Sequence, residues 1–226
     1  ERAAKIAAHL MKLDLKEVQI IDGQAKGAAS SISLAEIAEA WYYKPQILAA
    51  DVDPGGLEVT VGYRPKIDTG TFSYASHAVV VAVDTELGHV EILDYVIVED
   101  GGTMINPMVV DGQVFGGAAQ GIGTALYEEM PFDSVGQPLA STLADYLLPG
   151  PTEIPAFRIE HMETPSPNTE FGVKGIGESG AIGPPAAIAN AINDALAPIG
   201  VEVLETPVTP RRILAAIAEA QAGAQS

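Results

Sequence analysis

Residues 2–13 place Ile6, Leu10 and Leu13 at helical spacing with Lys5, His9 and Lys12 between them, which predicts an amphipathic helix. The apolar run 18–21 ends at Asp22-Gly23 and reads as a strand entering a turn. Ser33, with Glu36 three positions later, has the form of a capping box. It predicts a second helix running to about Tyr43 and stopped by Pro45, with Trp41 on it as a core-packing residue. Residues 58–62 read as a short strand. The clearest pair is 77–84 and 90–100, both rich in Val and Ile, with the turn 85–89 between them. An antiparallel hairpin is predicted.

Asn106-Pro107 breaks the chain, and residues 108–129 then read as one long helix carrying Gly112, Gly116, Gly117, Gly121 and Gly123. Each interior glycine weakens a helix by about 1 kcal/mol relative to alanine. Close approach of another backbone or of a ligand is the physical reason to keep them. Gly136, in a polar segment, reads as a loop glycine that should tolerate alanine. Residues 157–163 form another predicted strand, followed by the proline-rich connection 164–168. A helix is expected from Pro184 to Leu196, with proline in its first turn. A short strand over 201–204 and a last helix from Pro210 to about Ala220 complete the reading, with 221–226 a frayed tail. Strands and helices mix without regular βαβ alternation, so the expected class is α+β, as one domain over 1–226.

Composition narrows the chemistry. The 226 residues are 47% hydrophobic, enough for a real core. Acidic residues outnumber basic ones 30 to 12, for a net charge of −18, which disfavours nucleic acid and anionic membrane as partners. There is no cysteine, so disulfides, zinc–thiolate sites and iron–sulfur clusters are excluded from this chain. Any redox centre must be a bound cofactor or sit on another polypeptide. No stretch approaches the roughly 18 apolar residues of a membrane span. With no signal-peptide pattern either, the expected location is cytoplasmic.

The segment Gly172-Val173-Lys174-Gly175-Ile176-Gly177-Glu178-Ser179-Gly180 holds four glycines in nine residues. Such a loop lets its backbone approach a flat or anionic ligand closely. Glu178 stands in it with nothing bulky beside it and is the one well-framed general-base candidate. The loop also matches G-x-G-x-x-G, so a dinucleotide-binding module is an alternative. Against it, Pro165, Pro167 and Asn168 occupy the place of the required strand, and the helix is expected to start only at Pro184. Glu178 would moreover set a carboxylate against the pyrophosphate. His9, His77, His89 and His161 share no ligand spacing, so no protein-ligated metal is expected.

Four segments in order carry a family resemblance. The glycine loop, followed by Ala181-Ile182-Gly183-Pro184-Pro185, resembles the G-V-K-G-x-G-E-A/S-G segment of the molybdenum hydroxylases, the xanthine dehydrogenase and aldehyde oxidoreductase family. Ser73-Tyr74-Ala75-Ser76-His77-Ala78 is similar to that family's hairpin entry. Asp100-Gly101-Gly102-Thr103-Met104-Ile105-Asn106-Pro107 is similar to its D-C-G-x-x-I-N-P, with Gly101 where cysteine is common. Asp111-Gly112-Gln113 through Gly116-Gly117-Ala118-Ala119-Gln120-Gly121-Ile122-Gly123 is similar to its E-G-Q-x-x-G-G-x-x-Q-G-I-G helix.

The resemblance implies the last portion of the large, molybdopterin-binding subunit, with N-terminal helices and strand over 1–57 and a cofactor-binding part over 58–220. It implies a molybdenum–pyranopterin cofactor, as the cytosine dinucleotide or the mononucleotide, the former favoured. Gln120 and Gly121 would lie against the pterin, and the backbone of Lys174, Gly175, Ile176 and Gly177 would line it, with Gln113 a further candidate amide. Glu178 would act as the base at the molybdenum centre while an N-heterocycle or an aldehyde is oxidised with water-derived oxygen. Activity would need the remainder of the large subunit, a subunit with a 2Fe–2S cluster and an FAD subunit. The alternative within this family is a non-catalytic structural piece that helps seat the cofactor.

Overall fold

Local signals in the first part of the chain give short elements that cover one another. The computed structural model describes residues 1–52, 56–64, 67 and 70–223, and its contacts gather into two units, Glu1–Arg64 and Pro65–Ser226. In the first unit α1 (Arg2–Met11) buries Ala4, Ile6, Ala7 and Ala8 and ends at Lys12 in the left-handed conformation. A three-stranded antiparallel sheet follows, β1 (Gln19–Ile21), β2 (Gln24–Lys26) and β3 (Ser31–Ser33), with the expected Asp22-Gly23 turn between the first two. The strands β2 and β3 each carry one apolar residue, Ala25 and Ile32, too little alternation to read in advance. The predicted capping box is present: Glu36 N donates to Ser33 Oγ at 3.1 Å and Ser33 N to Glu36 Oε2 at 2.9 Å. It opens α2 (Leu34–Tyr43), whose Ile37 closes on Ile6, Val18 and Ala25 while Trp41 packs half-buried at the edge. The strand expected over 58–62 does not form. Arg2 donates to the carbonyls of Gly56 and Glu58 there.

The second unit is built on the predicted hairpin. β4 (Tyr74–Val83) and β5 (Val90–Asp100) pair antiparallel, and Asp84 Oδ1 accepts from the amides of Glu86 and Leu87 in the turn. On the other side of β5 lies β6 (Phe157–Met162), parallel to it from Tyr95↔Phe157 to Asp100↔Met162. The central strand therefore buries Tyr95, Ile97 and Glu99 on one face, where α3 (Pro107–Leu126) and α4 (Ser179–Leu196) cover it. Val110, Val114, Ala118 and Ile122 of α3 meet Ile188, Ile192 and Leu196 of α4 in that core. Ile213 and Ile217 of α5 (Pro210–Gly223) close its far side. Helices and strands thus mix as the α+β reading expects. Residues 221–223 continue α5, and 224–226 of the expected frayed tail lie outside the described residues.

Other expectations also need correction. Residues 201–204 are not a strand; the Asn193 side chain accepts from Val203 N at 2.8 Å and donates to Val203 O at 3.0 Å, which satisfies the backbone a ladder would have served. α4 starts at Ser179, not at Pro184, so Pro184 and Pro185 lie inside it. The carbonyls of Gly180 and Ala181, which those prolines cannot serve, fall on the face that meets α3. There a Cβ on Gly121 would sit 2.7 Å from Pro184 Cγ and 2.9 Å from Ala181 O. A Cβ on Gly117 would sit 2.9 Å from Ala181 N, and one on Gly180 2.6 Å from Val114 O. Three glycines at one crossing let the two helix backbones touch.

The remaining α3 glycines differ in kind. A Cβ on Gly112 or Gly116 meets nothing within 4 Å. Gly136 has φ 85°, so the tolerance expected of it fails: alanine there would be strained. Gly117→Ala should cost roughly 1–3 kcal/mol through overpacking. Gly112→Ala should instead stabilise by about 0.4–1 kcal/mol. Urea unfolding of the two variants side by side decides this, and a stabilised Gly117→Ala would contradict the contact.

Candidate active site

The last two residues of β5 are acids, and both are buried: Glu99 is 1% exposed and Asp100 0%. Alternation along the strand sends them to opposite faces, and each meets one end of the glycine loop. Lys174 Nζ donates to Asp100 Oδ1 at 2.9 Å, with the lysine side chain itself 9% exposed. Gly102 N donates to the same oxygen at 2.8 Å and Tyr74 OH to Oδ2 at 3.0 Å. Burial would raise the Asp100 carboxyl, but hydrogen bonds from Thr164, Lys174, Gly102 and Tyr74 outweigh it and hold the group below the usual carboxylate range. The ammonium also lies 4.8 Å from the centre of the Tyr74 ring. Backbone bonds reinforce the joint, Lys174 N to Gly101 O at 3.0 Å and Thr103 N to Gly172 O at 3.2 Å. Gly102 takes φ 70° there, and a Cβ on it would sit 2.4 Å from Gly172 O.

At the other end, Ser179 Oγ lies 3.0 Å from Glu99 Oε2 and 3.3 Å from Ile176 O. Burial pushes the Glu99 carboxyl up, and the neighbouring Asp100 charge adds to it, against Ser179 and His161. Between these two anchors the loop stands in the open. Gly175, Gly177 and Glu178 are exposed. Glu178 occupies the position before the first turn of α4, and its carboxylate makes no capping hydrogen bond.

The structure brings most of the expected residues to one surface. Gln113 Nε2 donates to Gly177 O at 3.2 Å and ties the exposed face of α3 to the loop. Gly116 and Gln120 continue that exposed face along the helix. A Cβ on Gly112, Gly116 or Gly175 would meet nothing within 4 Å, so these backbones are bare toward open space. Gly121 lies on the other side of α3, buried against α4. The side chains of Lys174 and Ile176 also turn inward, to Asp100 and to the core. Among the described residues no group of three His, Asp or Glu could hold a metal ion. No helix among them is long and apolar enough to cross a membrane.

The sequence profile of the molybdopterin cofactor-binding domain matches residues 1–155. The chain belongs to this family. Similarity to relatives runs on through the glycine loop. The nicotine 6-hydroxylase large subunit of Paenarthrobacter nicotinovorans is 39% identical over 222 residues, 96% of this chain and 26% of that one. The carbon monoxide dehydrogenase large chain of Hydrogenophaga pseudoflava is 34% identical over 96% of this chain and 27% of its own. The crystal structure of quinoline 2-oxidoreductase from Pseudomonas putida 86 superposes with a TM-score of 0.79 at 39% identity, over 96% of this chain and 28% of that one. The chain thus spans about a quarter of the length of these relatives. The family resemblance read from the motifs is borne out.

Glu99, Ser179, Tyr74 and Thr164 had no expected role, although two acids ending a Val/Ile strand are a visible break in its alternation. The dinucleotide reading loses one objection, since α4 starts at the loop itself. It keeps the other two, because a 3-10 turn at Glu170–Gly172 and irregular chain precede the glycines instead of a strand, and Glu178 would still face the pyrophosphate. Its third glycine, Gly180, is moreover used against Val114. The buried ion pair is the joint to test. Lys174→Met leaves Asp100 buried without its cation and should cost roughly 3–5 kcal/mol, part of it recovered in Lys174→Met/Asp100→Asn. Because the folded carboxyl is depressed, its stabilisation is present above the unfolded value of 3.8 and lost as pH falls through the folded one. The penalty in Lys174→Met should therefore shrink in acid. Thermal unfolding against pH checks both, and a penalty independent of pH would count against the pairing.

Proposed function

We propose that this chain is part of a molybdenum-dependent hydroxylase or dehydrogenase that oxidises an N-heterocycle or an aldehyde with water-derived oxygen, Glu178 acting as the base. The family, and relatives named for nicotine and quinoline oxidation, support the reaction class. The observation that carries the residue assignment is the setting of Glu178: an exposed carboxylate without a capping bond, on a loop fastened at both ends, beside bare backbone.

The residues present fit a flat cofactor. Gly112 and Gly116 weaken α3 by about 1 kcal/mol each, with neither a packing contact nor a positive φ to require them. A ligand lying over them and over Gly175 and Gly177 would supply the reason. Gln120 would offer its amide to that ligand, and Gln113 would hold the Gly177 carbonyl in place. Lys174 and Ile176 would contribute backbone, their side chains being committed to the protein. Gly121 would act one layer behind, by letting α4 approach. The molybdenum–pyranopterin group, in the cytosine dinucleotide form by this reading, supplies the electron-accepting centre when bound. The remainder of the large subunit, an iron–sulfur subunit and an FAD subunit would complete the enzyme.

Glu178, with neighbours that leave its carboxylate open, would take the proton that activates the water-derived oxygen. In the complete enzyme Glu178→Gln keeps the shape and removes the base, so turnover should fall by about 10²–10⁴-fold. Molybdenum content should stay at the wild-type level. Metal analysis with steady-state kinetics measures both. Turnover above about a tenth of wild type would favour the structural reading, in which the chain seats the cofactor without supplying the base.

A further inference from the structure

We propose that Glu99 is a positioning residue for Glu178, acting through Ser179 and the Ile176 carbonyl; this rests on the reading of Glu178 as the base. Ser179 follows Glu178 directly and is the first residue of α4. Its hydroxyl, in a residue 6% exposed, reaches two acceptors, Glu99 Oε2 at 3.0 Å and Ile176 O at 3.3 Å. One hydroxyl carries one proton and cannot give both a full hydrogen bond. A protonated Glu99 resolves the conflict: its O–H donates to Ser179 Oγ, and Ser179 donates to Ile176 O. The chain of bonds then spans the loop from Ile176 to the residue after Glu178.

Stability does not explain this carboxyl. Glu99 Oε1 is buried with no hydrogen-bond partner, which costs roughly 1–3 kcal/mol. The other buried side chains on its face of β5 are Tyr95 and Ile97, among which an apolar residue would pack without that cost. The charges that act on it are those of Asp100 beside it and His161, its pairing partner on β6, which is itself bonded to Asp111 of α3 at 2.7 Å; Tyr95 on the same face is bonded to His77 of β4 at 3.1 Å. His161 is engaged by Asp111, so Ser179 is the contact through which Glu99 reaches the loop. Asp100 secures the loop where it begins, at Lys174, and Glu99 where it ends. Between these points Gln113 adds a side-chain tie to the exposed backbone, at Gly177 O.

The test compares Glu99→Gln, Glu99→Leu and Glu178→Gln in the complete molybdenum enzyme. Glutamine reproduces a neutral Glu99, with an amide to donate to Ser179, and should keep kcat within about threefold of wild type. Leucine breaks the chain and should lower kcat by about tenfold to a hundredfold, because a base displaced by an ångström loses that much. KM and molybdenum content should hold, and backbone amides of residues 175–178 should exchange hydrogen faster. Should Glu99→Leu fail to fold, Ser179→Ala removes the same link from the other side and should behave alike. Wild-type kcat and loop exchange in Glu99→Leu, or in Ser179→Ala where it replaces it, would overturn the proposal. So would a Glu99→Gln variant as impaired as Glu99→Leu. If Glu178→Gln stays active, the base assignment fails on its own, while amide exchange still reports whether Glu99 holds the loop.

Discussion

The ion pair between Asp100 and Lys174 joins the end of the central strand to the start of the glycine loop, and the arrangement of the site depends on it. Both side chains are nearly out of solvent. Two desolvated charges are poor stabilisers on their own, since well-packed apolar residues often do as well. What the pair contributes is direction. The Asp100 carboxylate accepts from Lys174, from the Gly102 amide and from Tyr74, so three separate stretches of chain converge on one rigid group. The backbone contact of residues 101–103 with 172–174 can then form only in one register.

A second constraint places the far side of the loop. α4 carries Glu178 at its head, so wherever the helix is held, the carboxylate is held. Gly117, Gly121 and Gly180 allow α3 and α4 to cross with backbones in contact. Close packing tolerates little displacement, so the crossing holds the head of α4 against α3. The same helix, α3, presents Gly112, Gln113, Gly116 and Gln120 on its other face. One helix thus uses glycine in two ways, toward α4 for packing and outward as bare surface.

Much of this was legible in the chain. The hairpin was clear because β-branched runs of matched length flank a polar turn, and α2 because its capping box is a local hydrogen-bonded device. Both depend on neighbours in sequence. Most of the misreadings turn on a partner outside the segment itself, although Gly136 fails on its own backbone, held at φ 85°. Pro184-Pro185 looked like a helix start, since nothing local says that α3 takes up the face they disturb. The extended residues 201–204 looked like a strand, but both backbone groups of Val203 meet one side chain, Asn193. The parallel pairing of β6 with β5 required α3 to return the chain, which no local pattern encodes. At the site, Glu178 and the bare loop could be read directly, whereas Glu99 and Asp100 could not. Their meaning lies in which face each one takes and in what waits there, 74 and 80 positions away.

Three carboxylates around the loop illustrate how environment divides one chemistry among several roles. Asp100 has a cation and further donors that hold it charged, and it serves as an anchor. Glu99, one residue earlier, faces the apolar side of the same strand with a single hydroxyl for company, and burial favours its neutral form. Glu178 has neither anchor nor burial and keeps its lone pairs open. Had the strand turned by one residue, Glu99 would meet the lysine and Asp100 the core, and both bonds to the loop would be lost together. Strand register therefore decides more than packing here. It assigns a fixed charge to one acid and a proton to the next, and it leaves the third carboxylate on the loop they hold as the one available to a ligand.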